Sequence, residues 1–166
     1  MRKLIVGVAC AFLSIAALCA QEKLKRVYDE DVDPFMQIDG AVKEAASSGK
    51  YVICQLGGNW CVWCLRFADF ISRDEDISKV IDDNFVYVHV NYNPRQKPNA
   101  ATGELLKRLN HADRFGFPVF VVLDGEGNVI HIQDSGYLEK DMSYDKGNVM
   151  RFFVNWTPKA VKGEKD

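Results

Sequence analysis

The sequence predicts one α/β domain in which a mixed central sheet of about four to five strands is covered by helices on both faces. The first observation is size, because 166 residues that are 48% hydrophobic suit a single domain with a substantial core. The second is the alternation of helix-like and strand-like segments, which favours parallel strands joined through right-handed helical crossovers. The third is a tight glycine turn, "GEG", which forces the last two strands to be antiparallel.

The first half of the chain predicts three helices and one strand. A capping aspartate and a proline, Asp33 and Pro34, begin the first helix, which carries apolar residues at helical spacing and stops at a Ser-Ser-Gly sequence. The apolar run "YVICQLG" at 51–57 predicts a strand that is buried on both faces. From Val62 onward the pattern is helical, and a second start signal near Ser72 divides it into two consecutive helices.

The second half predicts three strands and two helices. The run "FVYVHVNYN" is typical of a strand, and a polar loop and the short helix "ELLKRLN" follow it. The runs "PVFVVLD" and "NVIHIQD" form the antiparallel pair, and a last helix extends from near Lys146 to Trp156. These assignments divide the mature chain into a flexible lead at 21–33, a domain at 34–158 and a charged tail at 159–166.

The N-terminus predicts export. Arg2 and Lys3 precede an uncharged apolar run of about 17 residues that ends in small residues before Gln21. This pattern is typical of a secretory signal peptide, so we expect residues 1–20 to be removed near Ala20 and the protein to be periplasmic or secreted. Because the run is at the lower limit for crossing a bilayer, a membrane-anchored form is the minor alternative.

Charge gives no indication of a nucleic-acid partner. The chain has 21 Lys and Arg residues against 23 Asp and Glu residues, and removal of the signal peptide takes away two positive charges, which leaves 19 against 23 and a net charge of −4. No basic run is interleaved with aromatic residues, as nucleic-acid binding would require. We expect a monomer that does not bind nucleic acid.

Three cysteines remain after cleavage, Cys54, Cys61 and Cys64. A structural zinc site needs four ligands, and the chain has no second Cys or His pair, only the scattered histidines at 89, 111 and 131. We therefore predict no metal, although copper(I) bound by two thiolates stays open because thiolates are soft ligands. An odd number of cysteines, in a chain large enough to form its own core, also argues against a scaffold held together by disulfides.

The position of the pair favours redox chemistry. Cys61 directly follows a buried strand and opens a helix, where backbone N–H groups and the helix dipole favour a thiolate, so we expect Cys61 to be exposed with a lowered pKa. Cys64 lies one turn further along and should point toward the core. A disulfide between them would close a very short loop and would be easily reduced.

The motif "WCVWC" after a buried strand, together with Gly116-Phe117-Pro118 before a β-hairpin, resembles the thioredoxin fold from about Phe35 to Trp156. The run from "KYVICQLGGNWCVWC" through "LNHADRFGFPVFVVLDGEGNVI" to "DSGYLEKD" is similar to the C-terminal periplasmic domain of DsbD-type thiol:disulfide interchange proteins and to exported stand-alone thioredoxin-like proteins.

This resemblance implies roles for the site residues. It implies that Cys61 is the attacking thiol, Cys64 the resolving thiol and Pro118 a cis-proline packed beside the disulfide. The backbone of Phe117 would then face the pair and bind a substrate chain as a short added strand, since Pro118 has no N–H. The alternative for Gly116-Phe117-Pro118 is a turn that merely opens a strand.

One position departs from the family. Thioredoxins carry a buried acid six residues before the attacking cysteine, and this chain has Gln55 there, whose amide cannot accept a proton at neutral pH. Water or another carboxylate would have to replace the acid, or release of the mixed disulfide would be slower. Asp69 is the candidate carboxylate, although an acid two helical turns beyond Cys61 is more often solvated.

The remaining candidates surround the pair. Trp60 and Trp63 flank it and predict a flat apolar collar that a partner protein covers, with core packing as the alternative. Arg66 would add positive charge near Cys64 or simply be solvated. Cys54 is predicted to be a small core residue without chemistry.

We therefore expect an exported thiol-disulfide oxidoreductase of the reductase type, with no cofactor besides the Cys61–Cys64 disulfide. Its partners would be protein disulfide substrates and a thiol electron donor of the cell envelope. Val62 and Trp63 place no cation between the cysteines, which favours the reducing direction. A disulfide oxidant or isomerase, and a non-catalytic adaptor or metallochaperone, are the alternatives.

Overall fold

The computed structural model describes residues 24–164, so the predicted signal peptide lies outside the described residues. Within this range no helix has both the length and the apolar character needed to cross a membrane. The elements in chain order are α1 (Pro34–Ser48), β1 (Tyr51–Gly57), α2 (Val62–Arg73), α3 (Glu75–Asn84), β2 (Phe85–Asn91), α4 (Ala100–Arg108), β3 (Val119–Leu123), β4 (Val129–Asp134), β5 (Glu139–Lys140), β6 (Ser143–Tyr144), α5 (Lys146–Asn155) and α6 (Pro158–Lys162). Two 3₁₀ turns, Ala112–Phe115 and Ser135–Tyr137, precede β3 and follow β4.

The central sheet has four strands in the order β2-β1-β3-β4. Strand β1 is parallel to β2 and antiparallel to β3, and β3 is antiparallel to β4. The short strands β5 and β6 form a separate antiparallel ladder, which the sequence did not predict. The mixed sheet confirms the predicted fold class.

The direction of β3 differs from the prediction that helix-linked strands run parallel. Strand β2 ends at Asn91, opposite Gly57, and β3 begins at Val119, opposite Leu56. The connection at 92–118 therefore leaves and re-enters the sheet at the same end, and β3 is antiparallel to β1. Two strands joined through a helix run parallel when the connection carries the chain back to the opposite end of the sheet. Here the short α4 and its two loops bring the chain back to the end that it left.

Two hydrophobic clusters cover the two faces of the sheet. On one face, Ile53 of β1 packs with Phe67 of α2 and Phe153 of α5. On the other face, Leu56 of β1 packs with Ile38 of α1 and with α4. Because successive residues of a strand point to opposite faces, β1 contributes to both clusters, and all seven of its residues are buried.

One element boundary shifts from the prediction, and one helix was not predicted. The break between α2 and α3 falls at Asp74 rather than near Ser72, because the Asp74 carboxylate accepts the N–H of Ile77 at 3.2 Å and caps α3. The added helix is α6, which the Thr157 hydroxyl caps by accepting the N–H of Ala160 at 3.2 Å.

Candidate active site

The cysteine pair lies at the carboxyl end of β1, where a tight turn feeds directly into α2. The N–H of Cys61 donates to the carbonyl of Gly58 at 3.0 Å, and the N–H of Leu65 donates to the carbonyl of Cys61 at 3.2 Å, which starts the helix. Cys61 and Cys64 form a disulfide with a Cα–Cα distance of 5.2 Å. The turn and the first helical turn therefore fix both sulfur atoms.

The two sulfur atoms have different surroundings. Cys61 is the N-cap of α2, and its Sγ accepts the N–H of Cys64 at 3.1 Å. Contrary to the prediction that it is exposed, Cys61 is only 7% exposed, because Phe117 and Trp60 pack against it. Cys64 is fully buried, in agreement with the prediction that it points inward.

The loop before β3 supplies the other wall. The Phe117–Pro118 bond is cis, which confirms the prediction for Pro118. The carbonyl oxygen of Phe117 lies 3.7 Å from Cys61 Sγ, a van der Waals contact because a disulfide sulfur has no proton to donate. Although 56 residues separate them in sequence, this peptide and Cys61 therefore lie side by side.

An aromatic surface surrounds the pair. Trp60 donates its indole N–H to the carbonyl of Tyr92 at 2.9 Å and packs edge-on against Phe117 at 5.4 Å between ring centroids. Trp63 packs edge-on against Tyr144 at 5.7 Å, and the Tyr144 hydroxyl donates to the Trp63 carbonyl at 3.0 Å. Both indoles are half-buried, so each contributes to packing as well as to the surface.

Positive charge lies over this aromatic surface. The guanidinium of Arg66 lies 4.9 Å from the Trp63 ring centroid, and that of Arg95 lies 5.8 Å from the Trp60 ring centroid. Between the cysteines, Val62 is half-exposed and carries no charge. The exposed side of the site is therefore apolar with two cations at its margins.

Gln55 occupies the interior side of the pair and is fully buried. Its amide nitrogen donates to the Tyr28 hydroxyl at 2.6 Å and to the Cys64 carbonyl at 3.0 Å, and its oxygen accepts from the Tyr87 hydroxyl at 2.6 Å. The Cys64 carbonyl can only accept, which fixes the nitrogen on that side. Gln55 therefore links the backbone of the resolving cysteine to two buried tyrosines.

Tyr28 is a site residue that sequence reasoning missed. It belongs to the irregular segment at 24–33, which the sequence predicts only as a flexible lead, yet it is 5% exposed and packs with both cysteines. The Asn59 side chain holds this segment, since its oxygen accepts the N–H groups of Val27 and Tyr28 at 3.1 and 3.2 Å and its nitrogen donates to the Tyr28 carbonyl at 2.7 Å. Burial raises the pKa of Tyr28 well above its usual range.

Two other candidate residues lie apart from this network. The Asp69 carboxylate is paired with Arg73, one turn along the same helix, with Oδ1 2.9 Å from Nε. In the described part of the chain, no hydrogen bond joins Asp69 to Gln55. Cys54 is fully buried on the opposite face of the sheet, and burial raises the pKa of its thiol to about 12. A thiol with that pKa is unreactive at neutral pH.

The histidines are separate from one another. His89 is adjacent to Tyr28, with ring centroids 5.3 Å apart, and burial lowers its pKa to about 4. His131 stacks on Trp156 at 4.1 Å, and His111 begins the turn before β3. In the described part of the chain, no three His, Cys, Asp or Glu residues are grouped so that they could hold a metal ion.

The thioredoxin-like family matches residues 33–125. Thiol:disulfide interchange protein DsbD of Yersinia enterocolitica is 29% identical over 110 residues, which cover 66% of this chain and 18% of that protein. The chain spans less than a fifth of the length of the curated relatives it matches.

Solved structures with the same fold are also similar. A disulphide isomerase from Xylella fastidiosa has a TM-score of 0.67 and 22% identity, with 80% of this chain and 98% of that chain covered. A thioredoxin from Thermus thermophilus has a TM-score of 0.53 and 18% identity, with 86% and 95% covered. Together with the sequence match, these similarities confirm the resemblance that the motifs predict.

Proposed function

Because the chain belongs to the thioredoxin-like family and carries the disulfide-forming CxxC pair of a thiol-disulfide oxidoreductase, we propose that it is an exported reductase of protein disulfides. Its substrates would be disulfides of other cell-envelope proteins, and an envelope thiol protein would return electrons to it. The observation that carries the proposal is the position of Cys61 Sγ at the start of α2, where it accepts the N–H of Cys64.

The reaction has two exchange steps. The Cys61 thiolate attacks one sulfur of the partner disulfide, which forms a mixed disulfide and releases the other partner sulfur as a thiolate. Cys64 then attacks Cys61 Sγ, which forms the Cys61–Cys64 bond and releases the second partner sulfur. Two electrons pass to the partner, and each released thiolate takes a proton from water.

The walls of the site suit a protein substrate. The Phe117 carbonyl beside Cys61 is available to accept an N–H from an extended partner chain, and Pro118 offers no competing N–H. Trp60, Trp63 and the half-exposed Val62 provide an apolar surface that a partner would cover. In this proposal Cys61 and Cys64 react and Gln55 supports Cys64. Trp60, Val62 and Trp63 contact the partner, whereas Tyr144 is buried beneath Trp63.

The direction of electron flow follows from the groups that stabilise the reduced form. Neither Val62 nor Trp63 carries a charge, so the start of α2 is the main stabiliser of the Cys61 thiolate. We expect a reduction potential more negative than about −200 mV. Equilibration with glutathione redox buffers measures it, and a value near about −120 mV would make disulfide introduction the function instead.

Trapping of partners tests the proposal as a whole. Cys64→Ser should accumulate mixed disulfides on Cys61, whereas Cys54→Ser, which changes a buried cysteine on the other face, should accumulate none. The trapped proteins should come from the cell envelope. Full biological activity of Cys64→Ser would instead indicate an adaptor, because an adaptor needs no resolving thiol.

A further inference from the structure

We propose that Tyr28 donates a hydrogen bond to the Cys64 thiolate while this cysteine displaces the partner from Cys61. The inference rests on the proposed exchange reaction and assigns a residue to its second step. It gives the site an alternative to the buried acid that is replaced by Gln55.

The first support is distance. A Cβ atom placed on Gly57 would lie 2.5 Å from Cys64 Sγ and 2.9 Å from the Tyr28 hydroxyl oxygen, so the distance between these two atoms cannot exceed the sum of the two lengths. Because residue 57 is glycine, no side chain stands between them. A sulfur released from the disulfide is free to change its χ1 rotamer, and the proposed hydrogen bond requires a rotamer that faces the hydroxyl.

The second support is the unused proton of the Tyr28 hydroxyl. The hydroxyl oxygen accepts from Gln55 Nε2 at 2.6 Å, and Gln55 Oε1 is already engaged by Tyr87. Within residues 24–164, the Tyr28 hydroxyl makes this one hydrogen bond as an acceptor and donates none. In the disulfide state Cys64 Sγ is uncharged and a weak acceptor, but as a thiolate it becomes a strong one.

The third support is burial. Cys64 is fully buried, so a negative charge on its sulfur is poorly solvated and needs a donor from the protein. Tyr28 is held against the site by Asn59, and Gln55 orients its hydroxyl. The donor is therefore preorganised before the thiolate forms.

The role is donation rather than proton removal. Burial raises the pKa of Tyr28, so the phenol stays protonated, and the Gln55 amide cannot take a proton. The Cys64 proton therefore leaves to water. The thiolate then attacks Cys61 Sγ, the Cys61–Cys64 bond forms, and the bond from Cys61 to the partner sulfur breaks.

Other titratable groups on this side keep a constant charge near neutral pH. Burial raises the pKa of Tyr87 and of Tyr144 and lowers that of His89 to about 4, so all three are neutral. On α2, the guanidinium of Arg66 lies over the Trp63 ring, and Asp69 is ion-paired with Arg73. A change of exchange rate between pH 6 and pH 9 therefore reports the cysteines.

The test is Tyr28→Phe, with Tyr144→Phe as the matched control. Both tyrosines are 5% exposed and each variant loses one buried hydroxyl, but that of Tyr144 bonds to the Trp63 carbonyl. The reduced protein is mixed with dithiobis(nitrobenzoic acid), which releases one coloured thiolate when Cys61 attacks and a second when Cys64 resolves. The two phases are followed against pH.

We expect the Tyr28→Phe change to raise the pKa of Cys64 by about one unit, since a hydrogen bond to a charged group is lost. At neutral pH the fraction of Cys64 present as thiolate then falls about tenfold. A thiolate of higher pKa is about threefold more nucleophilic, so the rate of the second phase falls only about threefold. Above both pKa values the order reverses and the variant is about threefold faster. Tyr144→Phe should follow the wild-type profile.

A second phase that is the same in Tyr28→Phe and Tyr144→Phe at every pH overturns the inference. If the wild type itself releases only the first thiolate, the proposed exchange reaction fails, and this outcome is distinct. Should Tyr28→Phe not fold, Asn59→Ala removes the bonds that hold the segment and retains the hydroxyl. An unchanged second phase in Asn59→Ala would then overturn the inference.

Discussion

Gly57→Ala is expected to destabilise the oxidised protein because the new methyl group has no room. Its Cβ would lie 2.5 Å from Cys64 Sγ and 2.9 Å from the Tyr28 hydroxyl, both closer than van der Waals contact allows. Neither neighbour is the free end of a flexible side chain, since Sγ is held in the disulfide and the hydroxyl by Gln55. Relief requires movement of the disulfide or of the N-terminal segment.

The magnitude follows from the cost of overpacking a core, which is about 1–3 kcal/mol. For a chain of this size, about 2 kcal/mol corresponds to a decrease in melting temperature of about 4–8 °C. Thermal unfolding of the oxidised protein measures it. The rate of the second phase in the reaction with dithiobis(nitrobenzoic acid) should also change, because the methyl group would stand between Cys64 and Tyr28.

Gly103→Ala provides the matched control. Gly103 lies inside α4, and a Cβ there meets nothing within 4 Å. The same substitution should therefore stabilise this variant by about 0.5–1 kcal/mol, through the lower backbone entropy of alanine in the unfolded chain. If Gly57→Ala is as stable as the wild type, the close packing between Gly57, Cys64 and Tyr28 is refuted.

Three further predictions concern titration. The alkylation rate of Cys61 in the reduced protein should have a midpoint below the free-cysteine value of about 8.5, and a midpoint at or above that value contradicts stabilisation by the helix start. Burial lowers the pKa of His89 to about 4 from an unfolded value of 6.5, so the free energy of unfolding should fall by about 3 kcal/mol as the pH falls from 6.5 to about 4. Denaturant titrations at several pH values measure this loss, and His89→Gln should remove it. Gln55→Glu should place a carboxylate against the Cys64 carbonyl, which raises the pKa of the new carboxyl group. The stability of this variant relative to wild type should therefore decrease as the pH rises from about 4. A stability difference that does not depend on pH would contradict this.

The sequence predicts those parts of the site that depend on local pattern. The apolar run of β1 and the helical spacing after Val62 place Cys61 at a helix start, and the structure has the pair there. The cis bond at Pro118 came instead from the resemblance to the thioredoxin fold that Gly116-Phe117-Pro118 carries. Local periodicity and turn chemistry are sufficient for the strand and the helix start.

Features that depend on distant parts of the chain were not predicted. Tyr28 lies in a segment without periodicity, and its burial depends on Asn59, which is 31 residues away. The direction of β3 depends on where the connection at 92–118 returns to the sheet. The low exposure of Cys61 depends on Phe117, which comes from that same connection. In each case the deciding contact is long-range, and no sequence pattern reports it.

Because, in the described part of the chain, Asn59 alone holds the backbone of Val27 and Tyr28, this segment should unfold locally more easily than the strand beside it. Strand β1 pairs on both edges and is fully buried, so its amide protons should exchange with solvent only when the whole domain unfolds. The amides of Val27 and Tyr28 are protected by one side chain, so they should exchange through a local opening of far lower free energy. Tyr28 should therefore be able to leave the site in a local opening while β1 keeps its hydrogen bonds and the Cys61–Cys64 disulfide stays intact.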